Sequence, residues 1–388
     1  MLKFELYKFE SKKKINFKYP RPSYFNGSII LIKLIYDNEF FCLGEINTYS
    51  GNFTEIIKNL NLIFSNIKNK NLYNENVFTV LKKLKKIRNN SCFNSCIAGV
   101  SQAIIGVVSQ IQKKSVSNLI LEKKVLPKKK VNAYASGGMV FEGQEEILIK
   151  EAEYCKENNF FGFKFRPSYP KKFNHHNLRF IKPDYIEVKK FLKISEKIRY
   201  KVGNKFKLMV DLGCRLKNVH DIKYFLDAQK ELNFYFIEEP FPRKLYLYEK
   251  IKNFRSIAAG EHLFDLDKSR KWLKCKKINY IQFDPNSLNL IDIFFLCKGI
   301  KTKDKIYIPH NWTTPINTSV GLNLLHVLDQ EISLIEKNLY SSPFESLFIN
   351  NAYKFTKGRF ILGNKIGFDI KFNLKNFNKF KIKKINFN

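Results

Sequence analysis

The sequence lacks the cysteine patterns that mark disulfide-stapled and metal-finger proteins. Its cysteines form no CxxC pair and no metal-finger spacing. They are Cys42, Cys92, Cys96, Cys155, Cys214, Cys275 and Cys297. An odd number of cysteines in a chain of 388 residues predicts reduced thiols in an intracellular protein. We therefore expect a cytoplasmic localisation.

Segments for export or for a membrane are also missing. The first residues, MLKFELYKFESKKK, have no uninterrupted apolar core of the kind that a signal peptide needs. The most apolar longer stretch, CIAGVSQAIIGVVSQI at 96–111, is shorter than 18 residues and contains Ser and Gln. This stretch predicts a buried helix of a soluble protein, and we expect no membrane partner.

Acidic residues are scarce: 35 Asp and Glu stand against 69 Lys and Arg, a formal charge of +34. The basic residues are scattered, with only short runs such as SKKK at 11–14 and KKK at 128–130. A nucleic-acid-binding protein concentrates its basic residues on one element or face. We interpret the charge as a solvated lysine-rich surface and expect no specific nucleic-acid partner. Attraction to nucleic acid or to a membrane surface is the alternative.

Hydrophobic residues make up 44% of the sequence and aromatic residues 15%, enough for a sizeable core. The length predicts two domains, or one large barrel with a cap. Residues 1–50 contain short β-rich runs separated by turn signals, which predict an antiparallel meander. Residues 53–122 have helical patterning, and the lysine-rich segment 122–130 is typical of a connector.

Beyond this connector, short apolar segments alternate with longer amphipathic ones. Eight of the apolar segments predict strands: VNAYASGG, FGFKFRP, FKLMVDLG, FYFIEEP, SIAAGEH, YIQFDP, KIYIPHN and ISLIEK. Because each is followed by enough residues for a helix, the pattern predicts a parallel (β/α) barrel. In such barrels the chemistry takes place at the carboxyl ends of the strands.

Charged residues close the third to the eighth of these segments. They are Asp211, Glu238, Glu261, Asp284, His310 and Glu336, with successive gaps of 27, 23, 23, 26 and 26 residues. A repeat near this length matches one strand, one helix and two short loops. We therefore expect all six side chains at the same rim of the barrel.

Three carboxylates on adjacent strands would repel one another unless a cation lay between them. Oxygen ligands select a hard ion, so Asp211, Glu238 and Glu261 predict a Mg²⁺ site. The alternative is that they are separate salt-bridged or helix-capping acids. Glu239 follows Glu238 directly and is expected to point the other way, because strand side chains alternate.

Asp284 and His310 close the next two segments. A carboxylate beside a histidine fixes the tautomer of the ring and raises its basicity, as general base catalysis requires. His262 directly follows Glu261 and could also reach the site, although an ordinary loop histidine is an equal alternative.

The segment GFKFRPSYP at 162–170 places Lys164 and Arg166 two residues apart at the end of the second strand. Strand alternation puts both on one face, toward the predicted metal site. For Arg166, a structural ion pair with one of the metal-site acids is the alternative to a contact with substrate.

These motifs together resemble the enolase superfamily and, within it, the mandelate racemase subgroup. The resemblance rests on KFR, VDLG, FIEEP, AAGEH, FDP, IPHNW and LIEK in this order, and covers nearly the whole chain. AGVSQAIIGVVSQIQKK resembles the segment between cap and barrel, and PHNWTTPI with SPFESLF resembles the tail of the acid-sugar dehydratases. Gly213 departs from the pattern, since relatives often carry Asn there.

The resemblance implies a modified (β/α)₇β barrel over residues 126–340. It implies an α+β capping domain over residues 1–125, completed by about 340–388. Mg²⁺ would be held by Asp211, Glu238 and Glu261, and the first step would remove the proton α to a substrate carboxylate. The other catalytic residues that it implies are Lys164, Arg166, Asp284, His310 and Glu336.

Within this family, Glu336 would hydrogen-bond the substrate carboxylate, donating if its pKa were raised. Racemases carry a lysine base at the position of Arg166, and a guanidinium stays protonated. A single base predicts one-sided chemistry, the dehydration of a sugar acid to a 2-keto-3-deoxy acid. The alternatives are an α-hydroxy-acid racemase or epimerase and, in another class, a nucleic-acid-binding protein on an inactive barrel.

Substrate contacts are expected from polar cap loops and from the loop after the fifth strand. The candidates are Tyr24, Tyr49 and His262. The expected partner is a small-molecule carboxylate, a sugar acid, and we expect a homo-oligomer.

Overall fold

The structure is a computed structural model. It describes residues 1–11, 27–74, 76–122, 130–140, 142–168, 188–216, 219–251, 256–298, 300, 305–328, 330–340, 342–363 and 365–387. The strands, numbered along the chain, are β1 (Leu2–Ser11), β2 (Ser28–Tyr36), β3 (Phe40–Ile46), β4 (Val131–Ser136), β5 (Gly162–Phe165), β6 (Lys207–Asp211), β7 (Phe234–Glu238), β8 (Ile257–Ala259), β9 (Ile278–Ile281), β10 (Ile306–Tyr307), β11 (Leu334–Asn338), β12 (Phe348–Asn350), β13 (Tyr353–Thr356), β14 (Arg359–Leu362), β15 (Ile370–Phe372) and β16 (Phe380–Phe387). The α-helices are α1 (Phe53–Ile67), α2 (Val77–Lys85), α3 (Ser91–Ile111), α4 (Val116–Leu121), α5 (Glu146–Glu157), α6 (Val188–Val202), α7 (Ile222–Leu232), α8 (Leu245–Glu249), α9 (Leu266–Lys274), α10 (Leu290–Lys298) and α11 (Pro315–Leu328).

The amino-terminal part of the chain forms an antiparallel sheet covered by helices. β1, β2 and β3 pair as the predicted meander, and the carboxyl-terminal strand β16 adds to the free edge of β1. Within the described ranges, α3 is the one helix long and apolar enough to cross a membrane, and 89% of its most apolar stretch is buried inside the fold. The stretch 96–111 is therefore a core helix, as its sequence predicts. All seven cysteines are free.

The eight predicted barrel segments form β4 to β11. Parallel pairing runs in chain order from β4 to β10, and β11 pairs with β4 on the other side. Seven helices, α5 to α11, follow the first seven of these strands within the described residues. Hydrogen bonds between side chain and backbone connect the segment after β10 to β11. Asn311 N donates to Glu336 Oε2 at 3.1 Å, and Asn311 Nδ2 donates to Glu336 O at 2.8 Å. The architecture is the expected (β/α)₇β fold.

Three of the candidate residues lie just beyond their strands instead of inside them. β8, β9 and β10 end two or three residues before Glu261, Asp284 and His310. Gly260 has a φ of +118° and donates its N–H to the Glu239 side chain at 3.0 Å, while Pro309 has no N–H to continue the ladder. The three candidate side chains therefore lie on short turns directly after the strands.

Within the cap, β3 and α3 pack against each other at backbone distance. A Cβ atom on Gly44 would lie 1.9 Å from the carbonyl oxygen of Gly99, and a Cβ on Gly99 would lie 2.7 Å from Ile46 Cγ1. Only glycine at both positions lets the strand and the helix pack at this distance.

We expect Gly44→Ala to lower the free energy of unfolding by about 3 kcal/mol, because backbone must move to admit the methyl group. Gly363→Ala is the matched control, since its nearest contact would be the flexible Lys365 side chain at 3.2 Å. Urea unfolding of the two variants measures the difference, and equal midpoints would contradict the packing argument.

Candidate active site

Lys164 lies at the centre of the barrel mouth and is buried. Its Nζ is 2.7 Å and 2.8 Å from the two carboxylate oxygens of Glu238 and 2.8 Å from Glu336 Oε1. Burial alone would lower the pKa of this amine, but Glu238 and Glu336 raise it well above its usual value. Lys164 is therefore a fixed positive charge between the acids of the fourth and eighth barrel strands.

Arg166 also faces the acids, as strand alternation predicts. Its Nη2 is 2.5 Å from Asp211 Oδ2, and its guanidinium carbon lies 5.9 Å from the centre of the Trp312 ring. The ion pair with a metal-site acid, kept as an alternative on sequence grounds, is thus present. The guanidinium therefore lies over the Trp312 ring while it is paired with Asp211.

Glu238 is the most deeply buried acid of the predicted metal trio. Burial, together with the charges of Asp211 and Glu336, raises its pKa to about 8 even though Lys164 opposes the shift. Gln282 Nε2 donates to Glu238 Oε2 at 2.6 Å and fixes the orientation of the carboxylate.

Glu261 is surrounded by positive and polarisable groups. Its Oε1 is 3.0 Å from Arg243 Nη2 and 3.3 Å from His262 Nε2, while its Oε2 is 3.4 Å from His310 Nε2. Burial would raise its pKa, but the two histidines and Arg243 lower it far below the usual range. The sequence analysis did not predict Arg243 as a site residue. Its position shortly after the FIEEP segment is the one sequence feature that could have pointed to it.

Glu239 points away from this trio, which confirms the prediction. It accepts the N–H of Gly260 at 3.0 Å and the hydroxyl of Tyr248 at 3.1 Å, and Arg243 Nε lies 3.6 Å from its Oε2. Its φ of +41° lies in the left-handed region, so the chain turns sharply directly after Glu238. Glu239 supports the site from behind.

The donor chemistry of the trio fits a hard divalent cation. Asp211, Glu238 and Glu261 offer carboxylate oxygens only, from three neighbouring strands. In the described part of the chain, no group of three or more Asp, Glu, His or Cys side chains is already arranged to hold a metal ion. Each acid of the trio is instead paired with a basic side chain of the protein, namely Arg166, Lys164 and Arg243 in turn.

His310 forms the expected pair with Asp284. Its Nδ1 is 2.6 Å from Asp284 Oδ2, so that nitrogen donates to the carboxylate and Nε2 faces the acids, 4.0 Å from Glu336 Oε2. Burial would lower the pKa of the ring, but the bond to Asp284 and the charges of Glu261 and Glu336 raise it to about 10. The imidazole is a strong base whose Nε2 is aimed at the centre of the site.

The pKa of Glu336 is not raised, so the condition for donating a proton to a substrate carboxylate is not met here. Burial favours a rise, but Lys164 and His310 outweigh it and lower the pKa below its usual value. The reason is the 2.8 Å contact with Lys164 Nζ. Glu336 is therefore an ionised acceptor, and Asn311 N, not a carboxyl proton, is the donor beside it.

Of the substrate-contact candidates, Tyr49 and His262 come together at the edge of the site. Their rings meet edge to face at 5.7 Å, and the His262 ring lies 6.5 Å from that of His310. Burial lowers the pKa of His262 to about 4, so this ring is neutral at physiological pH. Tyr24 lies outside the described residues.

The two histidines on Glu261 predict opposite dependences of stability on pH. His310, with its raised pKa, stabilises the fold fully below pH 6.5 and loses this contribution as the pH rises toward 10. His262, with its lowered pKa, contributes above pH 6.5 and loses this contribution as the pH falls toward 4. Without bound metal, we expect His310→Asn to lose on the order of 3 kcal/mol of unfolding free energy near pH 6 and much less near pH 10.

We expect His262→Asn to remove the acid-side decline and to leave the alkaline side unchanged. Urea unfolding in EDTA from pH 4 to pH 10 measures both variants against the wild type. Parallel pH profiles for all three proteins would contradict the assigned shifts.

Comparison with known proteins agrees with this fold. A family model described as enolase C-terminal domain-like matches residues 148–376. A solved enolase structure from the environmental genome shotgun sequencing of the Sargasso Sea is 18% identical, with a TM-score of 0.81 over 100% of this chain and 98% of its own. The 3,6-anhydro-D-galactonate cycloisomerase from Zobellia galactanivorans is 16% identical, with a TM-score of 0.78 over 97% of each chain.

A mutant L-talarate/galactarate dehydratase liganded with Mg and L-glucarate is 14% identical, with a TM-score of 0.76 over 100% of this chain and 92% of its own. At these identities the solved structures show the fold alone. No curated protein sequence matches the chain. The family model covers more than half of the residues, and the chain therefore belongs to the enolase C-terminal domain-like family of the enolase superfamily.

Proposed function

We propose that the protein is a Mg²⁺-dependent lyase. It removes the proton α to the carboxylate of a sugar acid and eliminates the β-hydroxyl, giving a 2-keto-3-deoxy acid. The observation that carries the proposal is the arrangement of one imidazole base, His310, against a fixed guanidinium, Arg166, where racemases carry a second base. The likeness to a fold shared with sugar-acid dehydratases supports it.

The base in this reaction is His310. Its Nε2 takes the α-proton, and the electron pair of the broken C–H bond moves into the carboxylate to give an enolate. Asp284, at 2.6 Å from Nδ1, stabilises the imidazolium that forms. The enolate then returns its electrons, the β-carbon–oxygen bond breaks, and the Nε2 proton leaves with the hydroxyl as water. The enol product tautomerises to the 2-keto acid.

The enolate carries more negative charge than the substrate, so the site must supply fixed positive charge. Lys164 provides it from the second barrel strand, already oriented by Glu238 and Glu336. A Mg²⁺ ion held by Asp211, Glu238 and Glu261 would add charge at the substrate carboxylate and would offset the Glu261 charge that holds a proton on His310.

Arg166 makes two-sided proton exchange unfavourable. A guanidinium does not deprotonate at any working pH, and this one is ion-paired with Asp211 and stacked on Trp312. With His310 as the single base, a proton can be exchanged at the α-carbon from one side only. This asymmetry favours elimination over racemisation.

A panel of aldonic and aldaric acids, incubated with Mg²⁺ in D₂O, tests the proposed reaction. We expect at least one acid to give a 2-keto acid, detected as its semicarbazone, with deuterium incorporated at C3. Exchange of the α-proton without loss of water would identify an epimerase or racemase and contradict the proposal.

We expect His310→Asn to lower the turnover of such a substrate by at least about 10³-fold, because the general base is removed. Mg²⁺ affinity, measured by calorimetry, is expected to change little, since His310 is not one of the three proposed ligands. Tyr224→Phe, on an exposed ring of α7, is the matched control and should keep full activity. Full activity in His310→Asn would contradict the assignment of the base.

A further inference from the structure

Asn286 lies two residues after Asp284 and bonds both to this acid and to the turn that follows His310. Its backbone N–H donates to Asp284 Oδ1 at 2.7 Å, which leaves Oδ2 for His310 Nδ1. Its side-chain Nδ2 donates at 3.1 Å to Thr313 Oγ1, three residues beyond His310. One residue thus ties the turn that carries the acid to the turn that carries the base.

The orientation of the Asn286 amide is set from the cap. Gln102, in the middle of α3, donates from Nε2 to Asn286 Oδ1 at 3.1 Å and to Pro285 O at 2.9 Å. Because this donor occupies Oδ1, the Asn286 amide must present Nδ2 to Thr313. An amide flipped the other way would bring two NH₂ groups together in a buried place, which is unfavourable.

Gln102 is itself fixed within the cap. Its Oε1 accepts the backbone N–H of Glu45 at 2.8 Å, at the end of β3. The Glu45 carboxyl makes a further contact between cap and barrel, since Thr314 Oγ1 donates to its Oε2 at 2.5 Å. Gln102, Asn286, Glu45 and Thr314 are all less than 4% exposed, so water does not compete for these bonds.

A second pair of contacts runs beside the first. Ser95, seven residues before Gln102 and therefore on the same face of α3, donates from Oγ to Asn286 O at 2.9 Å. Asn47 Nδ2 donates to Ser287 Oγ at 3.0 Å. Polar side chains of the cap therefore bond to all three residues of the turn 285–287, directly after Asp284.

We propose that Gln102 is a positioning residue for the Asp284–His310 pair, acting through the Asn286 amide. The cap would then set the geometry of the base as well as any contacts with substrate. The inference rests on the proposed function only where it takes His310 as the base. Its structural part, the hydrogen bond between His310 and Asp284, is testable without substrate.

The direct test is Gln102→Met, which keeps the length of the side chain and removes its donor and acceptor. Gln110→Met is the matched control on the same helix, because Gln110 Nε2 bonds within the cap, to Phe41 O at 2.8 Å. Thr313→Val and Thr313→Ser form a second pair at the barrel end of the link. Valine removes the Oγ that accepts from Asn286, and serine keeps it.

The first readout is the Nδ1 proton of His310, observed by NMR of ¹⁵N-histidine-labelled protein in EDTA and assigned with His310→Asn. We expect Gln102→Met and Thr313→Val to shift this resonance and to speed its exchange with water. Gln110→Met and Thr313→Ser should leave it as in the wild type. General loss of stability, followed by thermal melting, would not reproduce this pattern.

The second readout is turnover of an acid found to be a substrate. We expect kcat to fall roughly tenfold in Gln102→Met and Thr313→Val, with KM nearly unchanged, as for loss of a residue that orients a functional side chain. If Gln102→Met does not fold, Thr313→Val against Thr313→Ser decides the question.

An unchanged His310 resonance in folded Gln102→Met, or in Thr313→Val, would overturn the inference. If the wild type turns over no acid sugar, the proposed reaction fails, while the NMR comparison still decides whether Gln102 positions the pair.

Discussion

The concentration of acids at the mouth of the barrel is the constraint on which the rest of the site depends. Burial raises the pKa of Glu238 to about 8, and neighbouring carboxylates add to the rise. The fold offsets this repulsion with three cations: buried Lys164 between Glu238 and Glu336, partly exposed Arg166 on Asp211 and exposed Arg243 on Glu261. Removing one partner of such a pair leaves an uncompensated charge, so each pair is stable only with both of its members. The same field gives His310 its high basicity.

The second constraint is the fit between cap and barrel. Gly44 and Gly99 let β3 approach α3 at backbone distance, and this contact places Glu45 and Gln102 side by side. From there, buried amides and hydroxyls reach the turn that begins at Asp284. These groups are neutral and nearly all have partners, so they specify one arrangement without adding charge to an already crowded site. If Gln102 has the proposed role, the cap also helps to orient the proposed base.

Much of the architecture follows from periodicity in the sequence. The eight apolar segments all became barrel strands, and their spacing brought Asp211, Glu238 and Glu261 to one rim because parallel strands end at the same face. Strand alternation was enough to turn Lys164 toward the acids and Glu239 away from them. What periodicity could not give was the length of each strand, since the turns at Gly260 and Pro309 end the ladders early.

The sequence by itself determined the fold class, the order of the strands and, apart from Arg243, the identity of the charged residues that meet. Only the tertiary structure decided which charge pairs with which. Glu336 is ionised because Lys164 lies 2.8 Å away, and Arg243 reaches Glu261 from a turn with no periodic signal. Gln102 meets Asn286 across 184 residues of chain. Local patterns carry information over a few residues, whereas ionisation states and buried amide orientations depend on atoms within a few ångströms in space.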